Sequence, residues 1–163
     1  MLGKPWAGWS RITVNGESLG TASYLDWVPG VVIEPCIRYL EAALKDLERW
    51  GHSPGGYGFN IEFDAEGWHF GIVEIGDDFY TYDTKGEEEP YIRLKEIDLE
   101  PYRWSGYRFV RELMVEAVRD IEMNFEGWVQ WDAFDAADAK RSRQALTELI
   151  GEAKELLSRF PEK

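Results

Sequence analysis

One cysteine, two histidines and no long apolar run are all this chain offers, and each shortage removes a class of answer. A lone thiol forms no internal disulfide. Cys36 stands among Ile33, Ile37 and Leu40, so it reads as a buried apolar residue, and the expected compartment is a reducing, cytoplasmic one. His52 and His69 are the only histidines and neither sits in an H-E-x-x-H frame, so no zinc or redox pattern can be assembled. Asp77, Asp78 and Asp83 lack the spacing and central glycine of an EF-hand loop. No metal and no cofactor are expected. Residues 1–9, MLGKPWAGW, lack the apolar run of a signal peptide, and no stretch approaches the roughly 20 apolar residues that span a bilayer.

Basic residues are also scarce. Eighteen Lys and Arg stand against 31 Asp and Glu, a net charge of -13, so direct binding to nucleic acid or to an anionic membrane is opposed by repulsion. A basic protein is the complementary partner. The imbalance is local: residues 61–100 hold 3 basic and 13 acidic groups, so -10 of the -13 falls in that segment.

What is present suffices for a core. The 163 residues are 44% hydrophobic and 15% aromatic, which fits one globular domain over 1–163. Residues 9–14 alternate apolar and polar and meet Asn15-Gly16, a favoured hairpin turn because both positions tolerate positive φ. Residues 19–28 read as an irregular second strand closed by Pro29-Gly30. Apolar residues then recur every three or four positions over 34–50, with Pro35 in the first turn and Gly51 just past the end, predicting an amphipathic helix. After GHSPGGYG at 51–58 come four strand-like runs, 57–63, 68–75, 79–83 and 91–97, with short turn-rich gaps that favour an antiparallel meander. Helical stripes follow over 106–125 and 135–160. The expected fold is α+β: an antiparallel meander of four to six strands with about three helices packed mostly on one face.

Two glycine patterns imitate catalytic motifs. Gly16-Glu17-Ser18-Leu19-Gly20 matches G-x-S-x-G, but the segment that follows is a poor helix and the nucleophile elbow needs strand, turn and helix in that order. Gly51, Gly55, Gly56 and Gly58 follow a helix instead of opening one, so the phosphate-cradle reading yields to a flexible turn.

Strand pairing supplies the remaining candidates. With residues 64–67 as the loop, Phe63 faces Trp68 and Ile61 faces Phe70, while Glu62 faces His69 on the opposite, polar side. Tyr91, Arg93 and Lys95 alternate with Ile92 and Leu94 and are expected to join that polar side. There Glu62 and His69 form a candidate acid-base pair, and Tyr91 and Arg93 a candidate ligand contact; the bland alternative is the solvated face of a one-sided sheet. In a meander the first and third connections share one end, which brings Asp64 and Glu66 toward Asp83, Glu87, Glu88 and Glu89. Of the eight tryptophans, Trp50, Trp68 and Trp104 read as core or core edge. Trp6, Trp9, Trp27, Trp128 and Trp131 fall near termini or loops, where they either roof the core or meet a partner. These features favour a binding protein over an enzyme: an acidic inhibitor of a basic protein, in the manner of a bacterial immunity protein against a cationic toxin such as a nuclease, or a nucleic-acid mimic. The alternative is a small enzyme or ligand-binding protein centred on Glu62 and His69.

Overall fold

The structure is a computed structural model that describes residues 1–6, 8–23, 26–84, 92–131 and 133–161. The fold is α+β, with its strands divided between two antiparallel sheets. Strands β1 (Trp9–Val14) and β2 (Glu17–Ser23) form a hairpin, and β3 (Asn60–Asp64), β4 (His69–Ile75), β5 (Asp78–Asp83) and β6 (Arg93–Glu96) form a four-stranded meander in sequence order. Asn15 and Gly16 both take positive φ, as the expected hairpin turn requires. Register slips between Ile12 and Thr13, which leaves Leu19 as a bulge on β2.

Helix α1 (Val28–Trp50) packs on α2 (Gly106–Met123) and β3, while α3 (Phe125–Val129) and α4 (Ala136–Ser158) close the far side of the helical layer. Asp135 caps α4 by accepting from the Asp138 amide at 2.8 Å. Tyr39 of α1 meets Phe59 and Phe79 edge-on at 5.6 and 5.9 Å, and Phe79 meets Phe109 of α2 at 5.1 Å. Phe59, Ile61, Phe63, Phe70, Ile72 and Phe79 are buried on the helix side of the meander; each such side chain contributes about 1.5–3 kcal/mol of transfer free energy. On the opposite side, Val73, Tyr80 and Tyr82 are half-buried and Glu62, His69 and Leu94 are exposed.

Helix α1 starts earlier than its periodicity predicts. Pro29 and Gly30, expected to close a strand, lie in its first turn, and Pro35 sits inside it. Burial of Val28, Pro29, Gly30, Val32 and Ile33 holds these turns despite the proline. The turn between β3 and β4 also differs. Phe63 pairs with Phe70 and Ile61 with Ile72, because Glu66 (φ 53°) and Gly67 (φ 112°) alone make the bend. The displacement is two residues, so every side chain stays on its expected face. Among the described residues, no helix is long and apolar enough to cross a membrane.

Candidate functional site

Side chains paired across neighbouring strands point to the same side of a sheet. Asp83 pairs with both Phe70 and Arg93, and Thr81 with both Ile72 and Lys95. Arg93 and Lys95 therefore lie on the helix side of the meander. The expectation that they join Glu62 and His69 fails because β6 pairs so that Leu94, opposite Tyr82, takes the outer position. Arg93 donates to Asp83 Oδ1 from Nε at 3.0 Å and from Nη2 at 2.6 Å, and Lys95 Nζ lies 2.6 Å from Glu17 Oε2 of the hairpin.

These contacts frame a groove of about 590 Å³ between the β1–β2 hairpin and the end of the meander. Trp9, Leu19, Trp68, Glu66, Asp83 and Arg93 line it. The Trp68 ring lies 5.1 Å from that of Phe70, and both rest against Gly20, where an added Cβ would come within 3.0 Å of either ring. A glycine on β2 thus leaves room for both rings against the hairpin. Trp9 and Trp68 stay half-buried, and Glu66 is exposed at the rim. The meander thus brings Glu66 from its first connection and Asp83 from the start of its third into one depression, as expected. Glu87, Glu88, Glu89 and Tyr91 lie outside the described residues.

A second acidic corner borders the groove. The Asp64 amide donates to Asp26 Oδ2 at 2.7 Å, and the Ser23 hydroxyl donates to the Asp64 carbonyl at 3.4 Å, so the end of β2 covers the outer edge of β3. Burial holds the Asp26 carboxyl above the ordinary aspartate value. The Asp64 amide bond lowers it, the nearby Asp64 and Glu62 carboxylates raise it further, and His69 lowers it.

On the outer face, His69 Nδ1 lies 3.2 Å from Glu62 Oε1, with both side chains about half exposed (48% and 51%). Their pairing is diagonal, since Glu62 stands opposite Gly71 and His69 opposite Asp64. Burial, together with the Glu62 carboxylate that accepts its hydrogen bond, pushes the Tyr82 phenol above its ordinary value. The arrangement can hold an ion pair when His69 is protonated. Among the described residues, no group of three or more His, Cys, Asp or Glu is placed to hold a metal ion.

The tryptophans are redistributed. Trp128 and Trp131 are 0% and 6% exposed, with rings 5.0 Å apart, and Trp131 Nε1 donates to the Asp26 carbonyl at 2.8 Å. They roof the core and offer a partner nothing, because α3 turns their loop inward. Trp50 and Trp104, expected at the core or its edge, are 56% and 73% exposed. Trp9, expected either to roof the core or to meet a partner, is half-buried and lines the groove.

Glu74 is the other residue that strand patterning alone did not mark. It points to the helix side of β4 and accepts from the Tyr39 hydroxyl, the Gly56 amide and the Gly58 amide, all at 3.0 Å. Gly55, Gly56 and Gly58 have φ between 76 and 81°. The loop does turn its amides toward an anion, and that anion is the protein's own carboxylate. No family model matches this chain, and no curated protein or solved structure matches it significantly.

Proposed function

We propose that this chain is a binding protein that captures and neutralises a basic protein, as an immunity protein neutralises a cationic toxin such as a nuclease, or as a nucleic-acid mimic occupies a nucleic-acid enzyme. The observation that carries the reading is the groove in which Glu66 and Asp83 share walls with Trp9 and Trp68. The exposed Glu66 carboxylate accelerates encounter with a cation, Asp83 being paired with Arg93, and a partly covered indole supplies apolar area for retention. The net charge of -13 extends that attraction over the molecule. A cytoplasmic site of action agrees with the single cysteine, which is buried and whose thiol burial pushes well above its ordinary value.

The test uses the immobilised chain and two variants, Glu66→Lys and Trp68→Ala, in lysate of the source organism at low and high salt. A basic protein held in near-stoichiometric amount by the parent, released by salt and lost from both variants supports the reading. Equal retention by parent and variants overturns it.

A second reading places a small enzyme or ligand-binding site on the outer face, and the contact of Tyr82 with the Glu62–His69 pair favours it. Such a site requires His69→Ala to remove an activity or a ligand while leaving capture of the basic protein intact.

A further inference from the structure

Three arginines share one small cavity in a protein whose surface is otherwise dominated by carboxylates. The cavity, about 200 Å³, lies where a 3-10 turn (Glu100–Tyr102) runs into α2, and Tyr102, Arg103, Tyr107, Arg108, Arg111 and Glu112 line it. One carboxylate faces three guanidinium groups. With 31 acidic against 18 basic residues in the chain, chance placement would give the opposite balance.

The guanidinium groups are poorly paired. Among the described residues Arg111 has one ion contact, with Glu112 at 3.8 Å, and its buried Nε has no hydrogen-bond partner. Arg108 donates from Nε to the Tyr107 hydroxyl at 3.3 Å and lies over that ring at 5.7 Å, a neutral contact. Arg103 has no ion pair within 4 Å among the described residues. Of the other arginines, Arg93, Arg141 and Arg143 each engage a carboxylate by a direct hydrogen bond, while Arg119 and Arg159 stand 3.6 and 3.7 Å from one.

The position adds to the imbalance. The first turn of α2 carries no acidic residue, so Arg108 adds positive charge to the positive end of the helix. Arg103 and Trp104 are consecutive non-glycine residues at φ 55° and 59°, a conformation most side chains avoid. The walls are fixed. Tyr102 donates to Asn15 Oδ1 at 2.6 Å and meets Phe109 edge-on at 5.2 Å, and Tyr107 stacks on Phe160 at 6.0 Å. Burial first, and then the Glu116 and Glu112 carboxylates, raise the Tyr102 phenol above its ordinary value.

We infer that this cavity is a binding site for a small phosphorylated ligand, held by the guanidinium groups of Arg103, Arg108 and Arg111 between the rings of Tyr102 and Tyr107. A planar guanidinium meets phosphoryl oxygens with paired donors. The net charge of -13 keeps polyanions away, because nucleic acid feels the whole field whereas a small ligand needs only the local one. This site shares no residue with the acidic groove and stands independently of it.

The test is an NMR titration of the folded chain with sodium phosphate against sodium chloride of equal ionic strength, following the arginine Nε–H signals. Saturable shifts of Arg103, Arg108 and Arg111 in phosphate only are expected. Arg103→Gly keeps the left-handed backbone without strain, so it separates misfolding from loss of a ligand contact. It should weaken phosphate binding about tenfold, the scale of one lost charge-assisted bond. A second arm with phenyl phosphate separates the sources. Tighter binding than inorganic phosphate assigns the site to a phosphate ester whose body lies on the tyrosines, and equal binding assigns it to the free anion. Shifts that fail to saturate, or a double variant Arg103→Gly, Arg108→Ala that binds phosphate as tightly as the parent, overturn the inference.

Discussion

Glu74 and Asp26 show opposite treatments of a carboxylate by the same fold. Among the described residues Glu74 is the charged side chain counted as buried, and its two oxygens accept three hydrogen bonds that tie α1, β4 and the 55–58 loop together. Glu74→Ala leaves the Tyr39 hydroxyl and two backbone amides without their acceptor, and orphaned buried donors are expensive. The expected loss is about 3 kcal/mol, read from urea denaturation, and a change below about 0.5 kcal/mol, the size of an ordinary surface substitution, would refute the role. Asp26 accepts one backbone amide but sits beside Asp64 and Glu62, and its folded pKa is raised, with burial as the largest cause. A carboxyl of this kind contributes stability when protonated: the contribution is complete below its unfolded pKa and is lost as pH rises through the folded value. At neutral pH the parent thus carries an unrelieved charge. Asp26→Asn removes that charge while an amide oxygen still accepts from the Asp64 amide, so it should melt higher than the parent at neutral pH. The advantage should shrink as pH falls through the raised pKa toward 3.8. Thermal melts across that window check it, and an advantage independent of pH would show that packing, not charge, is responsible.

At the level of elements, α1 carries the clearest conflict between local preference and packing. Pro35 lies seven residues into a 23-residue helix, where it has no N–H to give to the turn before it. Pro35→Ala restores that donor, and the interior cost of proline is about 3 kcal/mol before the greater freedom of the unfolded alanine chain is subtracted. A net gain of about 1 kcal/mol is expected from urea midpoints, and destabilisation would mean that the ring's packing outweighs the missing bond. The same conflict explains what could be read from the residues alone. The hairpin at Asn15-Gly16, the meander and the stripes of α2 and α4 were legible because propensity, periodicity and turn chemistry agree there. The start of α1 was hidden because Pro29 and Gly30 argue locally against helix and Pro35 reads as a first-turn residue, while burial of Val28, Val32 and Ile33 extends the helix upstream. The bend at Glu66-Gly67 was hidden for a related reason. Glutamate rarely takes positive φ, and here Asp64 Oδ1 accepts the Glu66 amide at 3.1 Å and holds it there. Arg93 could not be placed on a face because β6 is only four residues long and exposed throughout, so alternation carried no burial signal. Glu74 follows the alternation of β4 onto the buried face, a position that charge alone argued against.

For the whole molecule, the decisive quantity is how the negative charge is divided between long-range attraction and contact. Glu66 is exposed at the groove rim, whereas Trp68 is half-buried against Phe70 and Gly20. A rim charge acts before contact, over a screening length of about 8 Å at physiological ionic strength. An indole acts only once the surfaces have met. If the chain captures a basic protein, Glu66→Lys should therefore lower the association rate and flatten its dependence on salt, leaving dissociation nearly unchanged. Trp68→Ala should do the reverse, raising the dissociation rate with little effect on association, because mutations at a desolvated contact act mainly on residence time. Surface plasmon resonance at several salt concentrations resolves both rates for each variant. The division fails if Trp68→Ala slows association while dissociation stays fixed, since the indole would then be guiding encounter. It also fails if Glu66→Lys changes neither rate, since the charge that distinguishes this end of the molecule would then serve solubility alone.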